Sequence, residues 1–405
     1  PDPLRRRWVK SVMAMGGVAF KSYIVTFSLG GSEKVAERIL RGRKPSLLAR
    51  HTWLSPEGLA LLLSGLSKAR SEPVRKLEAE LGEAALVALA RDDQVRLRRF
   101  ENNSMLFVGD PGTGKSTLVA SLLWQLSRRD YPSNILVIDF TGEYGFLSRH
   151  GFTRVRAGID SFADPLALGP HVALEVLEAT ARSVWGEGFT PIQAEVLREA
   201  LQSSSDLFEV VGKLQEVARV DPREDRRNAA LAALRRLYPT VHPALVGLRS
   251  PPKGRVILDL SPIEGEATKV ALALTVLEFV YRAAYIGAWR GLLVVEEADR
   301  LKGSAVLDRI ADELRKYDTC VWAVAHSLAV SKALRGSKHL VIFRTRDYLV
   351  RELGLDVART STIPQFHYLH LTEGRSPSAH RAYVPQRYSR RRRCGGPRSQ
   401  SSTAS

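Results

Sequence analysis

One eight-residue segment constrains the fold more than any other feature of the chain. Residues 109–116 read GDPGTGKS, which matches the pattern G-x-x-x-x-G-K-[ST]. The apolar run MLFV precedes this segment, and the amphipathic run TLVASLLWQL follows it. A strand, a glycine-rich turn and a helix in this order form the context in which the pattern folds into a phosphate-binding loop. The sequence therefore predicts an α/β fold with an anion site where a strand meets a helix.

Each residue type in this loop has a physical reason. Glycines let successive backbone N–H groups turn toward one anion, and the dipole of the following helix adds to the same point. Lys115 is expected to reach the β- and γ-phosphates, and Ser116 to offer its hydroxyl to Mg²⁺. The segment thus predicts ATP and Mg²⁺ as cofactors. The predicted cofactor-binding residues are Gly109, Asp110, Pro111, Gly112, Thr113, Gly114, Lys115, Ser116 and Thr117.

From Ser104 onward, short apolar runs alternate with helical segments, which is typical of βαβ units and a mostly parallel sheet. The predicted strands are MLFVG, NILVIDF, RVILDL, GLLVVEE, CVWAVAH and HLVIF. Residues 164–252 instead contain helical patterns, at 192–201, 207–218 and 228–237. This stretch is too long for a simple crossover, so we expect an inserted helical lobe.

Two adjacent acids end one of the predicted strands. The run GLLVVEEAD, residues 291–299, places Glu296 and Glu297 where a strand passes into a loop. Glu296 is predicted to hold the Mg²⁺ shell, and Glu297 to act as the general base that poises a water against the γ-phosphate. Two acids in a row favour hydrolysis over nucleotide binding alone. The alternative is an exposed acidic turn without a chemical role.

The charge balance indicates the kind of partner. The 405 residues include 60 Lys and Arg against 43 Asp and Glu, so the formal net charge is +17. This excess favours a nucleic acid or an anionic membrane surface. The two cysteines, Cys320 and Cys394, are too few for a disulfide framework or a four-ligand zinc site, and such usage fits a reducing, intracellular compartment.

The two ends of the chain differ from its middle. Residues 1–100 are basic and predicted to be mainly helical. One helix is expected to start with Ser55 as its N-cap, and a second is expected to cover residues 72–90. The apolar stretch 11–29 is interrupted by Lys21, which favours a buried strand or hairpin over a membrane anchor. Residues 386–405 contain six arginines and no acid, and are expected to be a disordered tail that either keeps the chain soluble or neutralises phosphates.

Beyond the loop itself, ILVIDFTGEYG and LLVVEEAD resemble the HerA/FtsK branch of P-loop ATPases, and most closely HerA-like proteins. The element Asp-x-x-Gly-Glu-Tyr of that family matches Asp139, Gly142, Glu143 and Tyr144 in order. The resemblance spans about residues 102–385. It implies a RecA-like P-loop NTPase domain at 101–385, with the helical lobe inserted at about 164–252. It also implies a homo-hexameric ring that moves or pumps double-stranded DNA, with ATP at the subunit interfaces.

The resemblance also implies roles for individual residues. Arg315, in ELRKY, falls where the family directs an arginine at the nucleotide of the neighbouring subunit. His326 stands where the family usually has a glutamine that senses the γ-phosphate. The implied catalytic set is Lys115, Glu297, Arg315 and His326. A solvated charge for Arg315 and a structural histidine are the alternatives.

Two functions from different classes follow. The first is an ATP-hydrolysing DNA translocase or helicase, cytoplasmic, with a nuclease as further partner. The second is a motor of a DNA import or secretion system, peripheral to the membrane and partnered by a channel. The second gains weight because HerA proteins usually begin with a small β-barrel, which the first hundred residues do not predict. A small-molecule kinase and a non-catalytic DNA-binding regulator fit the paired acids less well.

Overall fold

The computed structural model describes residues 84–99, 101–160, 163–245, 251–302, 304–372 and 376–383. The helices predicted before residue 84, the apolar stretch 11–29 and the arginine-rich tail 386–405 lie outside these ranges. Within them, a mostly parallel sheet with flanking helices confirms the predicted α/β fold.

Nine strands form the main sheet in the order β11-β10-β9-β3-β8-β7-β4-β6-β5. The seven strands from β9 to β5 run parallel, and β10 is antiparallel to both of its neighbours. All six predicted strands are present in it. The strands in chain order after residue 100 are β3 (Met105–Val108), β4 (Asn134–Asp139), β5 (Thr153–Arg156), β6 (Arg255–Asp259), β7 (Gly291–Val295), β8 (Thr319–Ala325), β9 (His339–Ile342), β10 (His367–Thr372) and β11 (Ser378–Arg381).

Nine α-helices lie in the described ranges: α1 (Lys115–Leu126), α2 (Pro170–Trp185), α3 (Pro191–Gln202), α4 (Leu207–Val220), α5 (Glu224–Leu237), α6 (Glu266–Tyr285), α7 (Ala305–Glu313), α8 (Lys332–Arg335) and α9 (Val357–Ser361). Helices α2 to α5 connect the neighbouring strands β5 and β6. They include the three helices predicted there. Helix α3 begins at Pro191, because Thr190 and Gln193 form a capping box around this residue.

The sheet separates two apolar layers, and alternate residues of each central strand point to opposite sides. In β4, Leu136 and Ile138 pack with the side that includes α2, α6 and α7. Ile135 and Val137 pack with the other side, which includes α1. Strands that are buried on both faces read as continuous apolar runs, which is why the sequence marks them clearly.

A separate antiparallel hairpin completes the second layer. It consists of β1 (Ala84–Ala88) and β2 (Gln94–Arg98). Val87, Val95 and Leu97 are fully buried in the layer that contains α1. The helix predicted over 72–90 is therefore wrong for residues 84–88. Alanine and leucine favour a helix locally, but burial of alternate residues against α1 favours a strand.

Candidate nucleotide-binding site

The carboxyl ends of four neighbouring parallel strands converge on one site. The loop 109–116 follows β3, and Glu296 and Glu297 follow β7. His326 follows β8, and the turn that ends at Tyr144 follows β4. In open parallel sheets this edge is where ligands bind, because loops from adjacent strands meet there. The side chains that these loops carry can therefore act on one molecule.

The glycine-rich loop requires backbone conformations that other residues avoid. Gly112 has a φ of 73° and Gly114 a φ of 112°, both in the left-handed region. Gly114 immediately precedes α1. The Thr113 hydroxyl donates to the carbonyl of Asp110 at 2.8 Å, which closes the loop on itself. The loop therefore ends at a helix N-terminus whose free N–H groups can face an anion.

The side chain of Lys115 folds back onto the backbone at the start of this loop. Its side chain is buried, and Nζ donates to the carbonyl oxygens of Gly109 at 2.6 Å and Asp110 at 3.0 Å. Burial lowers the pKa of Lys115, while the nearby carboxylate of Glu296 raises it. Nδ1 of His326 lies 3.4 Å from Nζ and 3.3 Å from the Gly109 carbonyl. The structure thus brings the predicted lysine and histidine together.

Two hydroxyl groups meet one carboxylate in the same site. Ser116 Oγ donates to Glu296 Oε1 at 2.8 Å, and the hydroxyl of Tyr144 donates to Glu296 Oε2 at 2.5 Å. Glu296 is only 4% exposed, and this burial raises its pKa to about 7, against the lowering effect of both hydrogen bonds. Mg²⁺ prefers such hard oxygen ligands, so Ser116 and Glu296 fit the predicted metal role.

Glu297 has a different environment from its neighbour. Its backbone φ is 47°, and its side chain is about a quarter exposed at 23%. Oε2 accepts a hydrogen bond from Nε of Arg300, whose Nη1 also donates to Glu266. The Glu297 carboxylate lines the pocket and remains partly exposed to solvent. It can therefore reach a water there once it leaves Arg300.

The turn after β4 is fixed by one buried carboxylate. Asp139 accepts hydrogen bonds from four successive backbone N–H groups, at distances from 2.8 to 3.3 Å; they belong to Thr141, Gly142, Glu143 and Tyr144. Burial nevertheless raises the pKa of Asp139. The turn directs Tyr144 at Glu296. Tyr144 is a site residue that we did not predict, although the Gly-Glu-Tyr motif was a signal for it.

A pocket of about 270 Å³ joins these parts. Arg315 belongs to a 3₁₀ turn, Leu314–Tyr317, but its side chain is outside what the structure describes. Its predicted role stays a prediction, as do the roles of the other site residues. The lining residues are Pro111, Gly112, Lys115, Ser116, Thr141, Glu143, Glu296, Glu297, Val324, Ala325 and His326.

Comparison with known proteins agrees with this geometry. Residues 94–280 match the family model described as "Helicase HerA, central domain". VirB4 of Thermoanaerobacter pseudethanolicus superimposes with a TM-score of 0.58 at 16% identity, over 76% of this chain and 98% of that chain. The plasmid coupling protein TrwB, in complex with ADP and Mg²⁺, superimposes with a TM-score of 0.57 at 16% identity, over 77% of this chain and 92% of that chain.

No curated protein matches the sequence. The likeness to these solved structures shows the fold, which is the predicted RecA-like P-loop NTPase fold. Together with the match at 94–280, it confirms the resemblance found in the sequence motifs. Residues 94–280 are thus similar to a HerA central domain, and the fold that contains them is that of P-loop NTPases.

Proposed function

We propose that this chain is an Mg²⁺-dependent ATPase that moves double-stranded DNA. The observation that carries the ATPase part of the proposal is the contact of Ser116 with Glu296 at 2.8 Å, in the pocket that Lys115 and Glu297 also line. A phosphate-binding lysine, a pair of metal ligands and a candidate base thus line one pocket. Neighbouring structures of TrwB with ADP and Mg²⁺ and with a non-hydrolysable ATP analogue support ATP and Mg²⁺ as cofactors.

Each side chain then has a part in hydrolysis. Lys115 neutralises charge on the β- and γ-phosphates, and Ser116 and Glu296 orient the metal shell. When bound there, Mg²⁺ would supply Lewis-acid stabilisation of the charge that develops on the phosphates. Glu297 accepts a proton from the attacking water, which requires that it leave its ion pair with Arg300. His326 lies close enough to Lys115 to contact the terminal phosphate.

The ring and the DNA partner are the finer part of the proposal. Arg315, supplied by a neighbouring subunit, would complete a site that this chain leaves open, and a homo-hexamer provides such a neighbour at every site. The net charge of +17 supports a polyanionic track. Binding through phosphates would be steeply salt-dependent and nearly independent of sequence.

A second candidate is a motor of a DNA import or secretion system. It shares the active site, and it is favoured by the likeness to VirB4 and to TrwB, whose structure is described as a bacterial conjugative coupling protein. In the part of the chain that the structure describes, no helix has the length and apolar character needed to cross a bilayer. The two candidates differ in partners, a nuclease for the first and a membrane channel for the second.

The deciding experiment measures steady-state ATP hydrolysis with and without long double-stranded DNA at two salt concentrations, while light scattering gives the mass of the assembly. We expect DNA to stimulate turnover in a species near six protomers, with less stimulation at high salt. A monomer that hydrolyses ATP without response to DNA would contradict the ring and the role of Arg315. Extraction from membranes only with detergent would favour the second candidate.

A further inference from the structure

The segment that leads into β10 lies directly on the phosphate-binding loop. The side-chain amide of Gln365 donates to the carbonyl of Gly112 at 2.9 Å, and the backbone N–H of Phe366 donates to the carbonyl of Thr113 at 2.9 Å. These two bonds satisfy carbonyl groups of a loop whose N–H groups are needed for phosphate. The segment therefore braces the loop from the side that the phosphates do not use.

Phe366 adopts a conformation that a bulky residue avoids. Its φ is +60°, and in the described ranges only Glu297 and Asp318 are other non-glycine residues with positive φ. Such a conformation is strained and persists only where the surroundings impose it. Here the constraint comes from two directions, because the Phe366 carbonyl also accepts from the N–H of Ala382 at 2.8 Å.

The ring of Phe366 is placed against the end of the loop. A Cβ added to Gly114 would lie 2.6 Å from its Cδ1, so the ring covers the position where the loop passes into α1. Yet 37% of the residue is exposed. Bracing requires only the backbone of Phe366 and the amide of Gln365. The bonds through the backbone of Phe366 would be the same with any side chain, so they give no reason for an aromatic ring that packs on Gly114 and stays partly exposed.

The location of the ring supplies that reason. Lys115, the expected partner of the terminal phosphates, begins α1 immediately after Gly114, and Ser116 and Thr117 follow it in the first helical turn. The innermost phosphate of a bound nucleotide would meet this helix N-terminus. The nucleoside must leave the loop beside this point. We infer that Phe366 stacks on the base of the bound nucleotide and is the residue through which the site distinguishes a nucleotide from a bare polyphosphate. This inference rests on the proposed binding of ATP.

The test compares two ligands that share phosphates and differ in the nucleoside. Isothermal titration of Mg²⁺-ATP and Mg²⁺-tripolyphosphate gives dissociation constants for the wild-type protein and for Phe366→Ala. Stacking of a base on an aromatic ring predicts that ATP binding weakens about tenfold. Tripolyphosphate has no base, so its affinity should not change. Phe366→Trp should keep the affinity for ATP.

Matched variants separate stacking from bracing. Gln365→Ala removes a bond to the loop, so it should weaken both ligands equally. Tyr285→Ala removes an aromatic ring that is 53% exposed at the end of α6, far along the chain from the loop, and should affect neither ligand. Phe366→Leu keeps apolar bulk in case the alanine variant unfolds, and should lose affinity only for ATP.

Three results would overturn the inference, and a fourth would contradict the proposed function on which it rests. An equal loss of both ligands in Phe366→Ala and Phe366→Leu would make the ring a brace, and unchanged ATP affinity would remove any role in binding. A wild-type protein that binds neither ligand would contradict the proposed function itself. A wild-type protein that binds both ligands with the same affinity would contradict only the base contact.

Discussion

The two walls of the pocket are built in different ways. The glycine-rich wall, residues 109–116, folds around short-range contacts, such as that of Lys115 with the Gly109 carbonyl six residues away, and the segment before β10 adds distant contacts to it. In the acidic wall, formed by Glu296 and Glu297, the pair of Glu297 with Arg300 is local, but Glu296 depends on contacts with distant residues. Tyr144 reaches Glu296 across 152 positions of the chain. The conformation of the first wall therefore follows largely from a local motif, whereas the enclosure of Glu296 in the second follows from how the strands are arranged.

The acidic wall itself contains a contrast. Glu296 is buried and accepts from two hydroxyls, and its pKa is raised to about 7. Glu297, one residue later, is partly exposed and ion-paired with Arg300. A fixed, enclosed carboxylate suits a metal ligand, whereas a carboxylate that can move suits a base. The predicted division of roles between these acids can be tested by substituting each acid, and then the hydrogen-bond or ion-pair partner of each.

The largest effect is expected from Glu297→Gln. The amide cannot accept a proton from water, so kcat should fall by about 100-fold to 10,000-fold. ATP binding should remain, because Lys115 and Ser116 are unchanged. Steady-state hydrolysis and equilibrium ATP binding measure the two quantities. Glu224→Gln, at the exposed start of α5, is the control that should leave both unchanged. Turnover that survives Glu297→Gln would remove the proposed base.

This contrast also explains which parts were predictable from the sequence. The glycine-rich wall and the six strands of the sheet centre were predicted, because each is marked by an uninterrupted pattern. Strand β5 reads TRVR with mostly exposed side chains, so no apolar run marks it. Strands β10 and β11 lie at the sheet edge, and their polar sequences HYLHLT and SAHR carry no such run either.

The candidate site was predictable only in part, for a related reason. The sequence indicates that Glu296 and Glu297 end a strand, but not that one is enclosed and the other ion-paired. Their partners Tyr144 and Arg300 are assigned by the order of strands in the sheet and by the turn after β7. No pattern marks Phe366 either, because its segment contacts a loop that is far away in the sequence. The bond of Gln365 with Gly112 joins residues 253 positions apart.

The second effect concerns stability and pH. Burial raises the pKa of Glu296 from an ordinary 4.5 to about 7, so between these values the folded protein binds more protons than the unfolded chain. The stability of the metal-free protein should therefore fall as pH rises through this window. Glu296→Gln has no titrating carboxyl at this position. Its free energy of unfolding, relative to that of the wild type, should therefore rise by on the order of 3 kcal/mol from pH 5 to pH 8.

Urea unfolding at pH 5, 6, 7 and 8 without Mg²⁺ measures this difference. Glu224→Gln again serves as the control, because its side chain is exposed and its stability should follow the wild type. Added Mg²⁺ with nucleotide should stabilise the wild type and not Glu296→Gln. A constant difference between the two proteins across the pH range would show that Glu296 is not enclosed in solution.

A smaller effect is expected from Tyr144→Phe. The substitution keeps the buried ring and removes only the hydroxyl that donates to Glu296 Oε2. Since that bond lowers the pKa of Glu296, its loss should raise the pKa further and leave less carboxylate for the metal at neutral pH. The Mg²⁺ concentration for half-maximal hydrolysis should rise about tenfold. A return toward the wild-type value at higher pH would distinguish this cause from a change in shape.

The smallest effect should come from Arg300→Gln, on the exposed side of the acidic wall. Arg300 is 36% exposed by side chain, so its pair with Glu297 is weak, and breaking it frees the carboxylate to accept from water. Turnover should rise by no more than about fivefold, because a solvent-screened ion pair stores at most about 1 kcal/mol. Hydrolysis at saturating ATP measures this change. A loss of turnover as large as that of Glu297→Gln would mean that Arg300 itself stabilises the transition state, so that the acidic wall acts through an arginine as well as two acids.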